Sequence, residues 1–242
     1  MRGHLAKPNA LRGRLCRSLI LQHKVRSADN NRVKTIIRET CVESRAEIDM
    51  AARGGAQRIE LCSCLELGGL TPPLDLADYA ISKNLEVAAM IRTNSTFAAS
   101  AGELEKMKSE TGIFRESGVK ALVLGFLTGN SEIDFAAIKS LIALAGDKQL
   151  VFHMAFDEIP AEKQMPAIDA LAELGFARIL TKGGRGKAIN NIERLKTLNE
   201  YAAGKITILC GGGVTDGNYM ELAGKTGITQ FHGRKLGCGC VE

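Results

Sequence analysis

The chain has 242 residues, of which 45% are hydrophobic and 5% aromatic, and a formal net charge of +5. This length and hydrophobic content favour one domain with a single core. Eight of the 32 Lys and Arg residues but only one of the 27 acidic residues lie in residues 1–32, so the rest of the chain is close to neutral and lacks the basic stripe of a nucleic-acid-binding protein.

Residues 1–32 are predicted to be a basic N-terminal extension of a domain at 33–242. Three leucines spaced four residues apart, beginning at Leu11, would share one helical face among arginines, a weak signature of an organelle transit segment. The alternative is a solvated, disordered tail. No apolar run approaches the roughly 20 residues of a membrane helix. Seven cysteines without a secretory signal indicate reduced thiols, so we expect a soluble cytoplasmic protein, with organelle targeting by the extension as the alternative.

From Val33 onward, apolar β-like runs alternate with amphipathic helical segments. The predicted strands are Thr35–Cys41, Arg58–Cys62, Glu86–Ile91, Ala121–Gly125, Leu150–His153, Arg178–Thr181, Ile206–Cys210 and Gln230–His232. The predicted helices are Arg45–Arg53, Leu74–Ser82, Gly102–Glu116, Phe135–Ala145, Ala161–Leu174, Ala188–Ala203 and Gly217–Gly224, with Asp134 and Thr215 or Asp216 as N-caps. Eight strands alternating with helices predict a (β/α)8 TIM-type barrel.

A repeated glycine supports this fold, because Gly55, Gly118, Gly175 and Gly227 each follow a helical run and open a β-like run. They mark the turns into the second, fourth, sixth and eighth strands. After the eighth strand only residues 233–242 remain, too few and too glycine-rich for a last outer helix. We therefore expect a barrel without its final helix, whose exposed edge is covered by the N-terminal segment or by a neighbouring subunit.

Acidic and imidazole side chains occur at the predicted strand ends, which meet at one mouth of a barrel. Glu60 alternates with Arg58 and Cys62 on one face of its strand, and His153 precedes Asp157 by four residues. In an enzyme, Glu60 or His153 would supply acid–base chemistry and Asp157 would orient. The structural alternatives are a Glu–Arg network that fills the barrel and a core histidine.

An anion site is a further hypothesis. Gly211, Gly212 and Gly213 follow the seventh predicted strand, where exposed backbone N–H groups can hold a phosphate. Arg92 and His232 end two other strands and would complete the site. The alternative is that the three glycines form only a flexible turn.

The cysteines suggest a soft metal. Cys62 and Cys64 form a C-x-C pair, and Cys41 ends the strand beside that of Cys62. Two nearby thiolates suit Cu(I), which accepts few and soft ligands. The alternative is that these cysteines are small buried hydrophobic residues.

Several motifs together resemble the CutC family, called copper homeostasis proteins, over about residues 36 to 233. They are Cys41-Val-Glu-Ser44, Arg53-Gly-Gly-Ala56, Arg58-Ile-Glu-Leu-Cys62, Leu67-Gly-Gly-Leu-Thr-Pro72, Met90-Ile-Arg92, Phe152-His153, Ala155-Phe-Asp157, Arg178-Ile-Leu-Thr181, Gly211-Gly-Gly-Val214 and Phe231-His-Gly233. The resemblance implies a (β/α)8 barrel, a cytoplasmic dimer or tetramer, and a Cu(I) role in which Cys41 and Cys62 match the suggested ligands.

The chain departs from this family at the mouth. Met154 stands where the family usually has arginine, Lys182-Gly183 stands where it has Ser-Gly, and Thr93-Asn94-Ser95 follows Arg92 in place of Pro-Arg and glycines. The thiol pair is retained. Three hypotheses result, of which the third is a barrel with no remaining activity, in keeping with the missing arginines and the shortened end. The first is a CutC-like protein that binds Cu(I) through Cys41 and Cys62, with Cys64 as third ligand, for copper handling. The second is an enzyme for a small phosphorylated or carboxylated metabolite.

Overall fold

The computed structural model describes residues 24–26 and 33–238. Most of the basic extension therefore lies outside the described residues. The hypotheses of a transit segment and of a disordered tail both concern this part of the chain. Strand β1, Lys24–Arg26, pairs antiparallel with β2, Val33–Thr35. In the part of the chain that is described, no helix is both long and apolar enough to cross a membrane.

Eight parallel strands close into a barrel, which confirms the predicted (β/α)8 fold. They are β3 Ile37–Val42, β4 Arg58–Leu61, β5 Glu86–Met90, β6 Ala121–Leu124, β7 Gln149–Phe152, β8 Phe176–Thr181, β9 Thr207–Cys210 and β10 Gln230–Arg234. Strand β10 pairs with both β9 and β3, so the barrel has no unpaired edge. The expectation of an open strand edge was therefore wrong. Cover of the missing helix position by the N-terminal segment or by a neighbouring subunit stays a prediction.

Seven α-helices surround the barrel in the described residues. They are α1 Arg45–Gly54, α2 Leu74–Ser82, α3 Ala101–Glu116, α4 Phe135–Ala145, α5 Gln164–Glu173, α6 Ile192–Ala202 and α7 Tyr219–Thr226. Asp134 caps α4 as predicted. The predicted cap of α7 was wrong: Asn218 holds the N-cap position, because residues 215–218 form a turn in which Thr215 N–H donates to Asn218 Oδ1.

The repeat glycines occupy the turns into the even-numbered barrel strands, as predicted. Gly55, Gly175 and Gly227 have φ of 79°, 83° and 71°, the left-handed region that glycine adopts without steric cost. Gly118 is different, since its φ is not positive and a Cβ there would lie 2.9 Å from Ile81 Cδ1. Close packing requires this glycine.

Side chains alternate between two cores, as period-two strands require. Outward residues pack against the helices in the larger core. Inward residues form a smaller core inside the barrel: Cys41, Cys62, Ala88, Met90, Ala121, Val123, Val151, Leu180 and Leu209. Below it, toward the N-terminal ends of the strands, lie Glu39, Arg58 and Arg178, all buried. The barrel interior therefore carries charged side chains beneath an apolar layer that contains two thiols.

The residues after β10 lie against α1 and β3. Leu236 is fully buried, and the Thr40 hydroxyl donates to its carbonyl oxygen. Gly237 N–H donates to Asp216 Oδ1 at 3.0 Å. No helix follows β10 in the described chain, which ends at Cys238. These few residues occupy the side of the barrel where an outer helix was missing in the sequence-based prediction.

Gly54 tests this packing, because a Cβ there would lie 2.3 Å from the Cys238 carbonyl carbon. We expect Gly54→Ala to lower the free energy of unfolding by about 1–3 kcal/mol through overpacking. Gly112→Ala is the matched control, since nothing lies within 4 Å of its Cβ position in α3. It should raise stability by about 0.5–1 kcal/mol. Urea unfolding followed by circular dichroism measures both, and equal effects would contradict the packing described.

Candidate metal centre

Three neighbouring strands, β10, β3 and β4, aim a cluster of titratable side chains into the barrel. Strand register places Cys41 opposite Glu60, and Glu39 opposite His232. Because residues two apart share a face, Cys62 points inward beside Glu60. These five side chains define the thiol–carboxylate–imidazole cluster, and each is at most 8% exposed.

The two thiols and one carboxylate are mutual neighbours. Cys41 Sγ lies 3.8 Å from Cys62 Sγ and 3.4 Å from Glu60 Oε2. Cys62 Sγ lies 3.6 Å from the same oxygen. Cys41 and Glu60 therefore sit at the centre of the cluster, with Cys62 on one side.

His232 lies on the other side, held by a chain of buried charges. Its Nδ1 is 2.7 Å from Glu39 Oε1, while its Nε2 is 3.8 Å from Glu60 Oε2. Glu39 also forms a buried ion pair with Arg58. Arg58 donates in turn to Gln230 Oε1 at 2.9 Å. The glutamate thus orients the imidazole so that its second nitrogen faces the centre of the cluster.

The two thiols have opposite acidities. A hydrogen bond from the Cys62 thiol lowers the pKa of Cys41 to about 5, against the opposing effect of burial and with help from His232. The same hydrogen bond, together with burial, raises the pKa of Cys62 well above its ordinary value. The shared hydrogen bond therefore favours loss of one proton from the pair, with Cys41 as the favoured thiolate.

The acids also differ. Burial raises the pKa of Glu60 well above its usual range, against the attraction of His232. Burial opposes ionisation of Glu39 too, but Arg58 and His232 bring its pKa down to about 2. For His232, burial favours the neutral ring, but the charge of Glu60 and hydrogen bonds with Cys41 and Glu39 raise its pKa well above the ordinary value. Glu39 is the permanent anion of the cluster.

The donor atoms fit a metal ion. The ligand atoms of Cys41, Glu60 and His232 all lie within 4.8 Å of one another, and this is the one such group found in the described chain. Glu60 Oε1 is buried and has no hydrogen-bond partner. An unsatisfied buried oxygen is costly, and coordination of a cation would satisfy it. Cys64 lies outside this group, at the start of a 3-10 turn after β4.

The other predicted acid–base residues do not join the cluster. His153 Nδ1 accepts from Ala155 N–H at 3.2 Å, and burial lowers the pKa of this imidazole to about 3. Asp157 accepts from the Thr181 hydroxyl at 2.6 Å and from the N–H of Lys182. Asp157 therefore fixes the loop after β8, and no hydrogen bond joins it to His153 among the described residues.

Of the predicted anion residues, Gly211 and His232 are neighbours, but Arg92 has other partners. The Arg92 guanidinium donates to the backbone carbonyls of Gly68, Ser95 and Thr96 at 3.0, 2.6 and 3.3 Å. It is thus engaged in fixing two loops. His232 belongs to the cluster inside the barrel. The glycine loop at 211–213 lies at the mouth, where a Cβ on Gly211 would be 3.4 Å from His232 Cδ2.

Two apolar side chains from the loops after β4 and β7 pack against the layer that contains the two thiols. Leu65 and Met154, both partly buried, pack against the apolar layer that contains Cys41 and Cys62. Sequence reasoning had not included Glu39 in the site, although Glu39 alternates with Cys41 as Arg58 does with Glu60. That alternation on β3 is the signal that could have found it.

Comparisons with known proteins agree on one family. The profile of the CutC family matches residues 36–237. A family protein CutC of Streptococcus pyogenes serotype M6 is 38% identical over 208 residues, which cover 83% of this chain and all of the relative. The copper homeostasis protein cutC homolog of Homo sapiens is 38% identical over 196 residues, covering 80% of this chain and 71% of the relative.

Solved structures give the same result. The crystal structure of a putative copper homeostasis protein CutC from Streptococcus agalactiae has a TM-score of 0.78 at 40% identity and covers 82% of this chain and 98% of that chain. An aldolase named QR15 has a TM-score of 0.64 at 14% identity, covering 84% of this chain and 90% of its own. The second likeness concerns the barrel fold alone.

The pair formed by Glu39 and Arg58 generates a stability prediction. Replacing Glu39 with Gln leaves Arg58 buried without its carboxylate, so we expect the free energy of unfolding at pH 7 to fall by about 3 kcal/mol. Glu86→Gln is the control, because Glu86 lies 3.7 Å from the same guanidinium with a side chain 43% exposed. Its loss should cost no more than about 0.5 kcal/mol.

The same pair predicts a pH dependence. The pKa of Glu39 is about 2 in the folded state, below its ordinary value of 4.5. The contribution of Glu39 to the free energy of unfolding is therefore complete above pH 4.5 and declines as the pH falls toward 2. Urea titrations should show a steeper loss of stability for the wild type than for Glu39→Gln between pH 5 and pH 3. Parallel curves would contradict the assignment of Glu39 as the buried anion.

Proposed function

Because this chain belongs to the CutC family, we propose that it binds Cu(I) within the thiol–carboxylate–imidazole cluster and serves copper handling. The observation that carries the proposal is the 3.8 Å separation of Cys41 Sγ and Cys62 Sγ, with ligand atoms of Glu60 and His232 beside them. Thiolate sulfur is the ligand that Cu(I) prefers, and imidazole is a common second type.

Cys41 is the central ligand in this proposal. It lies within reach of both Cys62 and the Glu60–His232 side, and its lowered pKa supplies a thiolate at neutral pH. Binding of a Cu(I) ion would release the proton that Cys62 retains, since metal ligands must be deprotonated. Cys41 and Cys62 would then hold the ion, with His232 Nε2 as third ligand. Cys64, suggested as a ligand from its C-x-C spacing, would have a secondary role.

Glu60 and Glu39 have different roles. Glu60 places Oε2 3.4 Å from Cys41 Sγ and 3.6 Å from Cys62 Sγ, and its other oxygen, Oε1, is buried without a partner. Its carboxylate would compensate the charge of the ion. Glu39 touches no thiol in the described contacts but holds His232 at 2.7 Å. It is thus a positioning residue that fixes which imidazole nitrogen faces the ion.

The remaining parts of the proposal concern the whole protein. We propose a cytoplasmic homo-oligomer, dimer or tetramer, in which residues 33–242 form the barrel domain and 1–32 an extension. The five described cysteines are all free, as a reducing compartment requires. No specific observation favours the alternative of an acid–base enzyme, since no hydrogen bond joins Glu60, His153 and Asp157 among the described residues.

Copper titration tests the ligand assignment. Under anaerobic, reducing conditions, with a chromogenic Cu(I) chelator as competitor, the wild type should bind one equivalent of Cu(I) inside the barrel. Cys41→Ser should cause the largest loss of affinity, because this sulfur is shared by both sides of the cluster. Cys62→Ser and His232→Gln should each weaken binding by about 10- to 100-fold or more.

Cys210→Ala is the matched control. Cys210 is a fully buried thiol on β9 that faces the outer core, and burial raises its pKa to about 12. Its replacement should leave Cu(I) affinity unchanged. If Cys41→Ser and Cys62→Ser both retain wild-type affinity while remaining folded by circular dichroism, the proposed site is excluded.

A further inference from the structure

A glycine-rich cationic loop lies at the mouth of the barrel, outside the thiol–carboxylate–imidazole cluster. Residues Lys182 to Lys187 follow β8 and read Lys-Gly-Gly-Arg-Gly-Lys, three cations without an acid. None of Lys182, Arg185 and Lys187 forms an ion pair in the described part of the chain, whereas Arg234 at the same mouth pairs with Glu43 at 3.3 Å. We call residues 182–187 the cationic loop.

Hydrogen bonds from the loop backbone to Asp157, and from Asn191 to the loop backbone, fix the conformation of the cationic loop. Asp157 Oδ1 accepts from Gly184 N–H at 3.2 Å, and Oδ2 from Lys182 N–H at 3.1 Å. The Asn191 amide donates to the carbonyl oxygens of Lys182 and Arg185, both at 2.9 Å. The carbonyl groups that would repel an anion are thus occupied, and the positive side chains are free to bind one.

A second loop, Gly212–Gly213, lies beside the cationic loop, and we call the two together the cradle. Gly212 and Gly213 have φ of 83° and 78°, and neither N–H has an acceptor among the described residues. A Cβ on Gly212 would lie 2.6 Å from Lys182 Cβ, and one on Gly213 would lie 3.1 Å from Lys187 Cδ. The two lysine side chains therefore run along either side of this backbone. Ala188 N–H donates to Gly212 O at 2.9 Å and joins the two loops.

A groove extends from the cationic loop toward the turn after β7. Its volume is about 520 Å³, and its walls include Lys182, Arg185, Ile159 and Pro160. Asp157 and Glu158 also line it. The Asp157 carboxylate accepts from the donors described above, and Arg194 adds a third cation to Lys182 and Arg185 in the groove wall.

We propose that the cationic loop and Gly212–Gly213 bind the phosphate group of a small phosphate monoester, whose organic part lies in the groove. Backbone N–H groups freed by positive φ and flanking ammonium groups are the donors that a phosphate dianion accepts. The site differs from the anion site predicted from the sequence, since Arg92 is committed to backbone carbonyls and His232 to Glu39. It does not depend on copper.

Amide NMR titration of the full chain, reduced and free of copper, tests this inference. Inorganic phosphate and glycerol 3-phosphate are added separately at constant ionic strength and pH. Both should produce saturable shifts of the Gly212 and Gly213 amide resonances. The double variant Lys182→Gln/Lys187→Gln should weaken both ligands by about tenfold, because two charge-assisted contacts are lost.

Lys139→Gln/Lys196→Gln is the matched control. Both lysines are exposed helix residues, on α4 and α6, and their loss changes the net charge equally. This variant should bind both ligands like the wild type. Absence of saturable shifts in the wild type, or equal weakening in the two double variants, overturns the site. Binding of inorganic phosphate without glycerol 3-phosphate overturns the assignment of a monoester. The outcome is independent of Cu(I) affinity, so either proposal can fail alone.

Discussion

The buried ion pair between Glu39 and Arg58 is the interaction on which the interior of this barrel depends. Both side chains are almost completely enclosed, and a lone charge there would cost several kcal/mol. Their pairing allows a polar chain that continues through His232 to the thiols. Burial lowers the pKa of this imidazole, whereas Glu60, Cys41 and Glu39 together raise it.

The same chain separates the acidities of groups that are chemically alike. Glu39 and Glu60 are both buried glutamates, yet one has its pKa lowered and the other raised. The difference comes mainly from Arg58, which forms an ion pair with Glu39 and none with Glu60 among the described residues. Cys41 and Cys62 differ in the same manner because they share a single proton. The cluster therefore contains a prepared thiolate and an unsatisfied carboxylate oxygen, which together are suited to a cation.

Closure of the barrel places two different surfaces close to each other. The thiol–carboxylate–imidazole cluster lies inside, with Leu65 and Met154 packed against its apolar layer. The cationic loop and its groove lie at the mouth, where the segments after the fifth and sixth barrel strands meet. The cluster is enclosed and offers soft sulfur ligands. The cradle is open to solvent and offers positive charges and backbone N–H groups. Asp157 illustrates how the structure divides these roles: a candidate catalytic carboxylate in the sequence, it serves in the fold to shape the cationic loop.

The sequence alone determined the barrel, its eight strands and the inward direction of Glu60 and Cys62, because hydrophobic periodicity and the repeated glycines are local properties of the chain. It also pointed to Cys41 and Cys62, since parallel neighbouring strands end together. Only the tertiary structure decided the partners. Ring closure and strand register bring His232 of the last strand to Glu39 of the first barrel strand. The loops that follow the strands give Arg92 its backbone carbonyl partners and place Lys182 and Lys187 beside Gly212–Gly213. Those contacts join residues far apart in sequence, and no local pattern encodes the distances between them.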